Sequence, residues 1–78
     1  MDLIELFAIN VRKRRNELGL SQEELADICG VHRTYISLIE RKKRNVTIKN
    51  IEIIAKGLGT EPYQLLQEEN QYDIRRKK

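Results

Sequence analysis

Apolar residues recur along this chain at helical spacing, in five short blocks parted by polar or glycine-containing breaks. Leu3, Phe7, Val11 and Leu18 fall on one stripe of a helix that the pattern predicts from about Leu3 to Leu18, with Arg12, Lys13 and Asn16 pointing elsewhere. Gly19 follows as a stop, because glycine enters the left-handed conformation without steric cost. The second block opens at Ser21. Ser21 and Glu24 have the spacing of a capping box, in which each side chain takes up a backbone N–H of the other residue. Leu25, Ala26 and Ile28 supply its buried face, Gly30 permits a turn, and Val31 fills the apolar gap that follows. A third helix is predicted from His32 or Arg33 to Arg41. At roughly 100° per residue, Tyr35, Ile36 and Ile39 share one arc of it, while Arg33, Thr34, Ser37, Leu38 and Arg41 share the opposite, mostly polar arc.

Beyond it, Arg41 to Val46 (RKKRNV) reads as a basic loop. Thr47 is expected to cap a fourth helix with the core stripe Ile48, Ile51, Ile54, Ala55 and Leu58, ended by Gly57 and Gly59. Thr60 is expected to cap a fifth, with Glu61 near the positive end of its dipole and Pro62 tolerated in the first turn. Tyr63, Leu65 and Leu66 give that helix its apolar residues. The expected architecture is all-α, a compact five-helix bundle over residues 1–67, with a polar, flexible tail over 68–78.

Length and composition narrow the function. With 78 residues there is room for one small domain. So small a domain buries a modest fraction of its surface, and a second copy would add to its stability. Charged residues make up 35% and hydrophobic residues 40%, which suits a soluble helical domain rather than a disordered chain. No apolar run approaches membrane-spanning length. The start, MDLIELFAIN, is short and acidic and is not a signal peptide, so a cytoplasmic location is expected. A single cysteine, Cys29, excludes an intramolecular disulfide and suits a reducing compartment. His32 and Cys29 are too few for a zinc set. No catalytic triad, phosphate-binding glycine loop or pair of catalytic carboxylates can be assembled, and Glu23 and Glu24 are accounted for by capping and the helix dipole. An enzyme, a cofactor, a metal, a membrane and a small-molecule ligand are therefore not expected. The net charge of +3 says less than its distribution: basic residues cluster at Arg12–Arg15, Arg41–Arg44 and Arg75–Lys78.

Two short helices around a tight turn, the second with a polar face, make the layout of a helix-turn-helix reader of duplex DNA. That layout occupies Ser21 to Glu40, SQEELADICGVHRTYISLIE. With its SQEELA opening, Gly30–Val31 turn, RTYIS segment and final Glu40, the chain resembles the Cro/CI-type, or XRE-like, regulators over roughly Phe7 to Leu66. Within that family, HRTYISLIE, the basic loop and NVTIKNIEIIAKGLG are most similar to the controller proteins of restriction–modification operons. The resemblance implies a lambda-repressor-like fold and a small autoregulatory homodimer bound to inverted repeats. Some phage repressors and antitoxins share similar runs. A phage-type repressor, or an antitoxin or protein-interaction module with autoregulatory DNA binding, is the alternative reading.

Candidate contacts follow from side-chain chemistry. The Arg33 fork can donate to guanine O6 and N7. Thr34 and Ser37 carry short hydroxyls on the same arc, Leu38 could pack on a thymine methyl, and the Tyr35 hydroxyl could reach a base or a phosphate. Gln22 stands at the start of the second helix, where free N–H groups and the dipole favour an anion, and in the resembled family this position clamps a phosphate. Arg41, Lys43, Arg44, Asn45 and Thr47 could hold the backbone on the other side. The resemblance also implies an ion pair, Arg15 with Glu40, between the first helix and the end of the third. Asn50, Ile53 and Gly57 lie off the core stripe of the fourth helix and, with Leu65, are expected to form an apolar patch for a twofold partner. Such a dimer would set two reading helices about one DNA turn apart, on a pseudo-palindromic site.

Overall fold

The computed structural model describes residues 1–68. The basic run Arg75–Lys78 and all of the expected tail except Glu68 lie outside them. Among the described residues there are four α-helices and one 3-10 helix, with no strand: α1 (Leu3–Glu17), α2 (Gln22–Cys29), α3 (Arg33–Glu40), α4 (Ile48–Gly57), and the 3-10 turn Pro62–Leu65.

Short polar side chains start three of the helices. Glu5 N–H donates to Asp2 Oδ1 at 2.9 Å and Asp2 N–H to Glu5 Oε1 at 3.1 Å, a capping box on α1. Ser21 and Glu24 form the expected box on α2, at 3.0 and 2.8 Å. Thr47 Oγ1 accepts from Asn50 N–H at 3.0 Å to cap α4. Each such cap stabilises its helix by about 1 kcal/mol. The α2–α3 turn depends on Gly30, which sits in the left-handed region at φ 72°. At the end of α3 the same conformation falls to Lys42, φ 64°, the one non-glycine residue with positive φ among those described. Its N–H donates to the Ile39 carbonyl and that of Lys43 to the Leu38 carbonyl, both at 2.9 Å, so the chain reverses there in spite of a conformational cost of about 1–2 kcal/mol.

The expected fifth helix is a single 3-10 turn. Glu61, not Thr60, occupies its N-cap, and the Thr60 hydroxyl is hydrogen-bonded to Gln64. Of the three apolar residues in this block, only Leu65 is fully buried, too little apolar surface to repay helix nucleation. The turn is held from α1 instead: Asn10 Nδ2 donates to the carbonyls of Leu65 and Gln67, each at 2.9 Å, and Arg14 Nε donates to the Leu58 carbonyl at the end of α4, at 3.0 Å.

All four helices and the turn meet in one core of Phe7, Val11, Leu25, Ala26, Ile36, Ile39, Ile54, Ala55, Leu58 and Leu65. Several expected core residues are outside it. Leu3 and Leu18 sit at the two ends of α1, beyond the reach of the other elements, and α1 buries Leu6 and Ala8 instead. Ile48 opens α4 beside the exposed loop and is 85% exposed; Ile28, near the end of α2, is 55% exposed.

Helices α2 and α4 approach each other through Gly57. A Cβ there would lie 2.6 Å from Cys29 Sγ and 3.4 Å from Ile28 Cγ2. Gly57→Ala is therefore expected to destabilise the fold. Overpacking costs about 1–3 kcal/mol and outweighs the gain of about 1 kcal/mol in helix propensity. Adding Cys29→Ala should recover much of the loss. Urea unfolding of the two variants checks this: a double variant no more stable than Gly57→Ala would show that the Gly57–Cys29 contact is not the constraint.

Candidate nucleic-acid interface

Helix α3 is anchored by Ile36 and Ile39 in the core and turns its other arc outward. Arg33 and Thr34 are exposed in its first turn, Ser37 and Leu38 are half-buried further along, and Arg41 is exposed at its C-cap. His32 holds the N-cap position, but its side chain makes no capping bond.

The orientation of α3 is set by a buried ion pair. Arg15 grips Glu40 with both arms of its fork, Nε to Oε2 at 2.7 Å and Nη2 to Oε1 at 2.9 Å. Its third nitrogen, Nη1, donates to the Leu20 carbonyl at 2.8 Å. The Arg15 and Glu40 side chains are 12% and 3% exposed. The hydrogen bond that Arg15 donates to Glu40 raises the guanidinium pKa, against an opposing effect of burial. Stabilisation tied to a raised pKa is complete below the ordinary arginine value and is lost only as pH climbs past the folded one. Arg15 is therefore charged throughout the neutral range. Gln22 joins the same carboxylate, its Nε2 donating to Glu40 Oε1 at 3.1 Å. One amide hydrogen is thereby engaged, and the second is left for another acceptor at the N-terminus of α2.

On the other flank, Arg41, Lys43, Arg44, Asn45 and Thr47 are all exposed. The reversal at Lys42 brings Arg44 back over the ring of Tyr35, with its guanidinium carbon 5.6 Å from the ring centroid, a cation–π contact. The Tyr35 hydroxyl accepts from Asn50 Nδ2 at 2.8 Å. Asn50, expected at a dimer surface, is half-buried and ties α4 to α3. Nothing in the spacing of the two residues signals that bond, because it joins elements fifteen positions apart.

The expected dimer patch also changes membership. Leu65 is 2% exposed and closes the core beneath α1 and α4, so it offers no surface to a partner. Gly57 faces Cys29 of its own chain. Ile53 is half-buried, and its apolar neighbour is Ile28: these two, with Cys29, Lys56 and Gly57, line a shallow depression between α2 and α4. Sequence reasoning placed Ile28 in the core and missed this pairing. The Cys29 thiol lies 3.9 Å from the Ile53 carbonyl oxygen, and burial pushes its pKa up, away from the thiolate that a nucleophile needs. Among the described residues no group of three or more His, Cys, Asp or Glu could hold a metal ion, and no helix is long and apolar enough to cross a membrane.

Residues 11–65 match the model of the Helix-turn-helix family. The chain is 54% identical over 66 residues to Control protein C.SmaI of Serratia marcescens, spanning 85% of this chain and 79% of that protein. In structure it is similar to the hypothetical transcription factor NHTF from Neisseria, with a TM-score of 0.87 at 47% identity, covering 90% of this chain and 80% of that one. It is similar too to the restriction-modification controller protein C.AhdI from Aeromonas hydrophila, with a TM-score of 0.77 at 40% identity, covering 80% and 94%.

Glu40 is the one buried charged residue among those described, and it accepts from two side chains besides its own helix. Glu40→Ala is expected to cost about 3–5 kcal/mol by stranding the Arg15 charge. Arg15→Met with Glu40→Met together should cost less than either single change. Denaturant midpoints of the three variants decide it; additive losses would mean that the pair does not act as a unit.

Proposed function

The chain belongs to the helix-turn-helix family, and from that premise we propose that it is a sequence-specific DNA-binding transcriptional regulator of the restriction–modification controller type. One observation carries the reading: a polar, outward arc on α3, flanked by Gln22 at the start of α2 and by the exposed basic loop 41–45. Helix α3 enters the major groove. Arg33, Thr34, Tyr35, Ser37 and Leu38 face the base edges or the phosphates beside them. Gln22, Arg41, Lys43, Arg44, Asn45 and Thr47 hold the backbone and fix the register. Gln22 keeps one amide hydrogen for a phosphate, and the Thr47 hydroxyl, whose oxygen is occupied by the α4 cap, keeps its proton for the same use.

The protein acts as a homodimer on an inverted repeat. The name of C.AhdI as a controller protein supports this operon role, and the Ile28–Ile53 depression supports a twofold contact, since an isolated domain gains by covering it. Residues 1–67 then form the DNA-binding and dimerisation unit, and residues 68–78 are a tail that adds nonspecific attraction to DNA.

Selection of bound duplexes from a randomised pool tests the reading. An inverted repeat with half-sites about one helical turn apart is the expected product. No enriched sequence, with binding abolished by moderate salt, would leave only electrostatic affinity and refute it. On the selected duplex, Arg33→Ala should cost about 1–3 kcal/mol and relax preference at one base position. Arg44→Ala should weaken all duplexes alike and reduce the salt slope by about 1. An unchanged base preference removes Arg33 from the reading set, and an unchanged slope removes Arg44 from the phosphate contacts.

A further inference from the structure

We propose that Asn50 is a positioning residue for DNA recognition, and that it turns the Tyr35 hydroxyl into a hydrogen-bond donor toward an acceptor oxygen of the duplex. The inference rests on the DNA-binding reading above and assigns a direction to one of its contacts. Tyr35 stands in the first turn of α3, the part of a reading helix that reaches the groove. Its half-buried ring packs against the core and so has little freedom to swing, and the Arg44 guanidinium lies over it. What stays adjustable is the hydroxyl proton, and Asn50 governs it.

A phenol has one proton to donate and lone pairs to accept with. Asn50 Nδ2 donates into one of those lone pairs at 2.8 Å. The hydroxyl proton is then excluded from the bond to Asn50 and is free for another acceptor. Asn50 is held at the start of α4, where its backbone N–H donates to the Thr47 cap, and the residue is half-buried. The cation of Arg44 beside the ring makes the surroundings positive and favours an oxygen of the polyanion as the acceptor. A phosphate oxygen and a base carbonyl share that chemistry.

The test is a set of variants whose order depends on proton direction. Affinity for the selected duplex is measured by fluorescence anisotropy, with thermal unfolding alongside, for Tyr35→Phe, Asn50→Ala, Asn50→Asp, and each Asn50 change combined with Tyr35→Phe. Tyr35→Phe keeps the ring and should bind about tenfold more weakly, the effect of one lost hydrogen bond. Asn50→Ala leaves the hydroxyl free to rotate and should cost about threefold. Asn50→Asp captures the hydroxyl proton and should cost about tenfold beyond the charge repulsion, which the same change in the Tyr35→Phe background measures separately. In that background Asn50→Ala should have no effect. A purely structural tether gives the opposite order, because a carboxylate still holds the hydroxyl and alanine does not. That order, or equal effects in both backgrounds, overturns the proposal while leaving DNA binding intact. A wild type that prefers no duplex overturns the DNA reading itself, and this assignment with it. A loss confined to duplexes with one base pair puts the acceptor on a base edge, and a uniform loss puts it on a phosphate; either outcome supports the donor role.

Discussion

The carboxylate of Glu40 is the point on which the rest of the molecule is hung. It sits at the last residue of α3, it is almost wholly buried, and it accepts from Arg15 on α1 and Gln22 on α2. Arg15 also reaches the Leu20 carbonyl, so the link between α1 and α2 is fixed by the same group. Desolvating two charges is costly, and an apolar pair of equal volume could hold the helices together as well. Burial of Ile36 and Ile39 already turns one face of α3 inward, but apolar contact is less directional than a hydrogen bond. Hydrogen bonds from two other helices converging on one carboxylate fix how far α3 is rotated about its own axis. For the proposed role of α3 in placing side chains against base edges, that rotation matters more than extra stability.

The opposite flank is built on weaker forces. There, α3 ends in a left-handed lysine, the loop returns over Tyr35, and α4 begins at the Thr47 cap. A cation–π contact made by an exposed cation stabilises by about 0.5–1 kcal/mol, and Arg44 and the other loop cations are exposed. Such a hold is readily exchanged for a charge-assisted bond to phosphate. The surface thus combines a helix locked at its base with a loosely held basic loop, the arrangement on which the proposed DNA contacts rest.

The helical periods and capping residues were legible where local chemistry decides. The Ser21–Glu24 box, the Thr47 cap and the Gly30 turn stand where the spacing put them. The core arc of α3 is as expected, because an eight-residue helix with two fully buried isoleucines has one way to face inward. Legibility failed where a periodic stripe ran past the elements that could cover it. Leu3 and Ile48 continue their stripes into solvent, and Leu65, too isolated to sustain a helix, is drawn into the core by the Asn10 clamp. The Tyr35–Asn50 bond was invisible for another reason. Two polar side chains on different helices carry no pattern until the fold brings them to 2.8 Å.

Helix α2 connects these arrangements. In eight residues it buries only Leu25 and Ala26, so its two ends are free for other uses. Its N-terminus carries Gln22, tied to Glu40 at the end of α3. Its C-terminus carries Cys29 and the exposed Ile28, set against Gly57 and Ile53 of α4. A larger residue at position 57 would push α2 away from α4. The absence of a side chain at Gly57 therefore does more than close the core. It lets α2 meet α4 closely, with Ile28 and Ile53 bordering the contact, while Gln22 at the other end of the same short helix reaches Glu40.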